Sequence, residues 1–154
     1  MIKEATTQEK VDVGIEALWR ALAKDMRFII PKIIPNLVRD VEVIEGDGGL
    51  GTVFLFNFGS DVSTVRCQKE KIVELDESLH QIGLQVIEGG HLRLGFSWYK
   101  TSFKLTSVGE HETLVDLKVA YETETEETPM PAQTTKSALA FIKCLENYLQ
   151  NGAV

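Results

Sequence analysis

Residues Val43–Phe58 read VIEGDGGLGTVFLFNF, and their centre, GDGGLG, satisfies G-x-G-x-x-G letter for letter. That fingerprint holds a pyrophosphate only when a strand enters the turn and a helix leaves it, because the helix N-terminus supplies the N–H groups and the positive dipole end. Here the residues after the glycines are Thr52-Val53-Phe54-Leu55-Phe56-Asn57-Phe58, β-branched and aromatic, with Phe at every second position. That composition and period predict a strand. The other phosphate-loop spelling fails as well: Gly46 and Gly51 have the G-x-x-x-x-G spacing, but Thr52 stands where a lysine should grip the phosphate. The stretch therefore reads as a glycine-rich loop between two strands.

Upstream of the loop, Glu4–Val13 is polar with scattered β-branched residues and predicts a strand. Ile15, Leu18, Trp19 and Leu22 then recur at i, i+3, i+4 and i+7, the stripe of an amphipathic helix. Pro31 and Pro35 interrupt the apolar run Phe28–Leu37, which allows a helical turn or two but no long straight helix. Downstream, strands are expected over Val41–Glu45, Thr52–Phe58, Val65–Leu75, Leu79–Glu88, Leu94–Leu105 and Thr113–Glu122. The breaks between them, Gly46–Gly51, Gly59–Asp61, Asp76–Ser78, Gly89-Gly90 and Val108–Glu110, are short enough to join antiparallel neighbours directly. Thr123–Pro131 is acidic and broken by Pro129 and Pro131, and Ser137–Leu149 carries Ala138, Phe141, Ile142, Leu145 and Leu149 on one helical face. The expected fold is α+β: a seven-stranded curved antiparallel sheet packed on a long C-terminal helix, with two short helices between the first and second strands.

The whole chain bounds the partners. Its 154 residues suit one domain, 1–154, with a core that needs no disulfide or structural metal. Sixteen Lys and Arg against 23 Asp and Glu give a net charge of −7 without a basic stripe, which argues against nucleic acid. The N-terminus MIKEATTQEK is polar, and no apolar run approaches the ~18 residues of a membrane span, so a cytoplasmic protein that does not enter membranes is expected. Cys67 and Cys144 lack zinc or redox spacing and read as free thiols. No metal or cofactor is expected.

Period-2 alternation groups the inward candidates. Phe54, Phe56 and Phe58 share a face, as do Ile82, Leu84 and Val86, then Tyr99, Thr101, Phe103 and Leu105, then Val115, Leu117, Val119 and Tyr121. Such faces line cores and pockets alike. In Val65–Leu75, Arg66, Gln68, Glu70 and Ile72 alternate with Cys67, Lys69, Lys71 and Val73, and the pattern leaves open which set is inward. Lys100 and Lys104 alternate with the apolar face of their strand and should be exposed, while His80 and His111 read as turn or strand-end residues. His91, after Gly89-Gly90, is the one candidate acid–base residue, without an identifiable partner.

The order of elements and the loop Glu45-Gly-Asp-Gly-Gly-Leu-Gly-Thr52 resemble the Bet v 1-like, pathogenesis-related class-ten family, whose marker is E-G-x-G-G-x-G-T. Lys24-Asp25, Pro31-Lys32, Ile44–Thr52, Ile82–Gly90 and Tyr99-Lys100-Thr101 look especially like the cytokinin-specific, or phytohormone-binding, subgroup. The resemblance implies a sheet that wraps the last helix without closing on it and leaves an apolar cavity for a small molecule. It implies that Gln68 and Glu70 point inward and hold the polar part of that ligand, with Leu22 and Met26 closing over it. Phe56, Leu84, Val86 and Thr101 would line the sheet side, and Ala138, Phe141 and Leu145 the helix side. Where cytokinin-binding relatives carry Thr and Tyr on that helix, this chain has Ala138 and Phe141. Losing two hydroxyls favours a more apolar guest, of gibberellin class, over an adenine-type cytokinin. The rival expectation is an alkaloid-pathway enzyme of the same fold, catalysing a Pictet-Spengler condensation or an isomerisation through His91. Neither reading fixes the oligomeric state beyond a monomer or weak dimer.

Overall fold

The structure is a computed structural model and describes residues 2–60, 66–93, 95–124 and 131–151. Its elements run in the order β1 (Lys3–Val11), α1 (Ile15–Ala23), α2 (Met26–Ile33), β2 (Val38–Glu45), β3 (Val53–Phe58), β4 (Cys67–Asp76), β5 (Gln81–Gly89), a 3-10 turn (Gly90–Arg93), β6 (Phe96–Gly109), β7 (Glu112–Thr123) and α3 (Pro131–Asn151). The seven strands form one sheet in the order β1-β7-β6-β5-β4-β3-β2, with every neighbouring pair antiparallel. The expected α+β architecture is the one observed.

Register shifts between Val43 and Glu45, between Lys69 and Glu70, and between Ile72 and Glu74 bend the sheet at β2–β3 and β4–β5. An extra residue in one strand forces a local kink and a stronger twist, which curves a sheet around whatever packs on its inner face. That inner face is apolar by alternation: Val115, Leu117, Val119 and Tyr121 of β7 are buried, as are Phe103 and Leu105 of β6 and Ile82, Leu84 and Val86 of β5. Ile142 and Leu145 of α3 reach the same core at 0% and 1% exposure, and Phe141 meets Phe103 edge-on with ring centroids 6.4 Å apart. The helix is also tied to the sheet's first strand, by the Lys143–Glu9 ion pair at 2.6 Å and by the Asp12 N–H donating to Glu146 at 2.7 Å.

The helix pair meets expectation. Leu18, Trp19 and Leu22 are buried, and the Trp19 indole N–H donates to Glu77 at 2.7 Å, which pins α1 to the β4–β5 turn. Pro31 lies inside α2 and removes the N–H that would bond the Arg27 carbonyl, so α2 stays at eight residues.

Several boundaries differ from the sequence reading. Val13 lies beyond β1, Thr52 beyond the start of β3, and Leu79 in a turn before β5. Val108 and Gly109 continue β6 instead of breaking it, because the reversal is made by Glu110 and His111. Gly89-Gly90 does not make a simple turn; Gly89 ends β5 and Gly90 opens the 3-10 turn. The expected strand ends at Val65 and Leu94 and the acidic stretch 125–130 lie outside the described residues. Lys100 is not exposed as expected: its side chain is only 20% accessible and is paired with Glu74 of β4, which reaches it across Gly83. Both cysteines are free and partly buried.

Candidate functional site

The glycine loop closes on itself. The Gly48 N–H donates to Thr52 Oγ1 at 2.9 Å, that of Gly49 to Asp47 Oδ1 at 3.0 Å, that of Gly51 to the Ile72 carbonyl at 2.8 Å, and that of Thr52 to the Gly49 carbonyl at 3.1 Å. A phosphate cradle needs such N–H groups aimed outward and free, and here these four are spent on internal acceptors. No specific binding of ATP, GTP or NAD is therefore expected, and saturable micromolar heat in calorimetric titration with any of them would contradict this. Gly46 is the hinge, with φ at +91° and Thr52 directly behind it: a Cβ would lie 2.6 Å from Thr52 Oγ1 and 2.8 Å from its Cα. Gly46→Ala should cost about 2 kcal/mol, from the left-handed backbone and the crowding together, measured as a lower urea midpoint.

Register settles the strand that pattern left open. Phe56 pairs with Gln68 and Phe54 with Glu70 across β3–β4, and Glu70 pairs with Val86 across β4–β5. Residues directly opposite in a ladder share a face, so Gln68 and Glu70 stand on the concave, apolar side with Phe54, Phe56 and Val86. Leu84 and Thr101 pair with each other further along that side. Gln68 is 6% exposed and its Nε2 donates to Glu70 Oε2 at 3.0 Å. Among the described residues this amide is the only hydrogen-bond partner of the Glu70 carboxyl, and no cation pairs with it. Burial pushes Glu70 up from 4.5 to about 7, against the Gln68 bond, which pulls it down. A carboxyl taken out of water without a countercharge is expected to behave so. Glu70 keeps part of its surface accessible although protein surrounds it on the concave side of the sheet.

The other sequence-named residues fall into two groups. Leu22 and Met26 line a hollow of about 240 Å³ between the helix pair and the glycine loop, together with Arg27, Val43, Phe54 and Ile72. Phe56, Gln68, Glu70, Leu84, Val86 and Thr101 are not in that hollow's wall; they occupy the sheet beyond it. Ala138 and Phe141 are partly buried against the core from α3, and Leu145 is fully packed. The His91 side chain lies outside the described residues. Two larger hollows, each about 440 Å³, lie elsewhere: one is lined from β1, β6 and β7 by Thr6, Gln8, Ser102 and Lys104, the other from α2 and α3 by Lys32, Lys143 and Tyr148. Neither includes a residue named from the sequence as ligand-binding. Among the described residues no three His, Cys, Asp or Glu side chains gather as a metal site, and no helix is long and apolar enough to cross a membrane.

A seven-stranded antiparallel sheet gripping a long C-terminal helix defines a helix-grip protein. The chain belongs to the pathogenesis-related protein Bet v 1 family, whose profile it matches over residues 3–152. It is 32% identical over 144 residues to the major strawberry allergen Fra a 1-E of Fragaria ananassa, covering 91% of this chain and 89% of the allergen. It is 28% identical over 118 residues to norbelladine synthase of Narcissus pseudonarcissus, covering 76% and 72%. In fold it is similar to norcoclaurine synthase of Thalictrum flavum, solved in complex with dopamine and hydroxybenzaldehyde, at a TM-score of 0.82 and 20% identity over 100% of this chain and 90% of that one.

Proposed function

We propose that the chain binds a small, largely apolar plant metabolite inside the grip, with Gln68 and Glu70 as its polar anchor. The observation that carries the reading is the amide–carboxyl pair set on an otherwise apolar concave face, where a buried acid is tolerable mainly because a guest can satisfy it. Leu22 and Met26 close one end; Phe56, Leu84, Val86 and Thr101 form the sheet wall, and Ala138, Phe141 and Leu145 the helix wall. The guest is of gibberellin class in preference to cytokinin class, since Ala138 and Phe141 offer no hydroxyl. A pool of gibberellins, cytokinins, flavonoids and alkaloid precursors competing in native mass spectrometry tests the ranking directly. Retention of cytokinins over gibberellins would overturn the class.

The α3 face gives a second check. Phe141→Tyr adds a hydroxyl to the helix wall and should shift preference toward cytokinins. Phe141→Ala should admit bulkier guests and cost about 2 kcal/mol of stability, below the ~3–5 of a fully buried Phe because this ring is only partly buried. If both variants rank every ligand as wild type does, α3 does not line the site.

One observation supports a catalytic reading: a buried carboxyl near neutrality can both give and take a proton at working pH. Under it, Glu70 would be the proton carrier in a condensation of an amine with an aldehyde, with or without His91. Product above the no-protein control that vanishes in Glu70→Gln would establish it; no product is expected.

A further inference from the structure

We propose that Gly90 is a positioning residue: its missing side chain makes the space in which the Gln68 amide is locked against Glu70. Gln68 faces Gly89 across β4–β5, and the chain then turns back over β4 through two successive left-handed glycines, Gly89 at φ +72° and Gly90 at φ +48°. The turn brings Gly90 onto the Gln68 side chain along its length. A Cβ on Gly90 would overlap Gln68 Oε1 and Cδ sterically and lie 2.7 Å from Cγ. The Gly90 backbone cannot give way by sliding, because Gly89 is seated on the Cys67 backbone, where a Cβ would stand 2.5 Å from the carbonyl oxygen, so a side chain at 90 must move Gln68 instead.

The consequence is chemical. Gln has three rotatable side-chain bonds and, free, would sample many positions. Pressed against Gly90 and 6% exposed, it presents Nε2 to Glu70 Oε2 at 3.0 Å. The amide is the only side chain among the described residues that stabilises Glu70's charged form. Gly90 therefore acts through Gln68 on the protonation of Glu70, without touching the carboxyl itself. A guest meets a preset donor–acceptor pair and does not have to order it, which is the general advantage of preorganisation. This last step rests on the proposed ligand reading; the positioning of Gln68 does not.

Carboxyl-carbon NMR titration of Glu70 in the ligand-free protein tests the positioning. Gly90→Ala should displace Gln68, break its bond to Glu70 and raise the Glu70 midpoint by roughly 0.5–1 pH unit, the equivalent of one ordinary hydrogen bond. In a Gln68→Ala background, where the crowded atoms are gone, the same Gly90→Ala change should leave the midpoint where it is. An unmoved midpoint in the single variant, or an equal shift in both backgrounds, overturns the proposal. Should Gly90→Ala not fold, the wild-type protein decides: a strong nuclear Overhauser contact between the Gly90 α-protons and the Gln68 γ-protons is expected, and its absence overturns the proposal. Displacement of a fluorescent dye by gibberellic acid separates the two claims. A shifted midpoint with unchanged affinity upholds the role of Gly90 and removes Gln68 and Glu70 from the ligand site.

Discussion

Glu70→Leu is expected to weaken binding of the preferred ligand by about ten- to a hundredfold while raising the melting temperature of the empty protein. The loss of affinity is that of a hydrogen bond to a buried carboxyl, about 1.5–3 kcal/mol. The gain in stability comes from burial being the dominant influence on Glu70 and Gln68 the lesser one. Leu belongs among Phe54, Phe56 and Val86, carries no charge to desolvate and fills a similar volume. The change leaves one N–H of Gln68 without its carboxylate, a cost of about 1 kcal/mol, which the relief of a buried, uncompensated charge outweighs at alkaline pH. The net expectation is about 2 kcal/mol of added stability at pH 8. A solvated Glu70 would change neither quantity, and a structurally paired one would lower stability when lost. Thermal melts and dye displacement on this single variant separate the three cases. Unchanged affinity for the best ligand of the screen would remove Glu70 from the site.

The glycine loop is legible from letters alone because its meaning depends on the residues after it, and Phe54, Phe56 and Phe58 at every second position can only continue as a strand. The face of β4 is not. Both of its faces are polar in sequence, Gln68 and Glu70 on one and Lys69 and Lys71 on the other, so alternation carries no sign. The sign comes from register with Phe54 and Phe56 on β3, a relation between strands that is not written in either one. Lys100 misleads for a related reason. Its partner Glu74 lies two strands away, and the route to it is open only because Gly83 stands between them. The glycines at 89 and 90 read as punctuation in the sequence, whereas their packing against Cys67 and Gln68 makes them part of the site's frame. Two-residue signals of this kind record that the backbone does something unusual but not what it approaches. The inward stripe of α3 is correctly periodic, yet periodicity does not show that Ile142 and Leu145 are sealed in the core while Ala138 and Phe141 keep accessible surface.

The pH dependence of folding should carry the signature of Glu70 with a sign opposite to that of the surface carboxylates. Asp40, Glu74, Asp76, Glu77 and Glu122 are all held below their ordinary values by hydrogen bonds from neighbours, so each adds stability above its unfolded value and loses it in acid. Glu70 does the reverse. Its folded value, about 7, lies above the unfolded 4.5. Between these limits the folded chain holds a proton that the unfolded chain has released, so stability is fully present below pH 4.5 and declines as pH rises to about 7. Above that both states are ionised and the loss is constant, at about 3 kcal/mol for a difference of this size. Other groups overlay this trend in the wild-type curve, but Glu70→Gln cancels them by difference, because Gln matches the shape and cannot titrate. The two proteins should be about equally stable at pH 4.5. The variant should then gain steadily, and by pH 8 its melting temperature should lie some 6–12 °C higher, taking roughly 2–4 °C per kcal/mol for a chain of this size. Parallel curves across the whole range would mean that the Glu70 carboxyl is solvated in the folded protein, and the polar anchor would go with it.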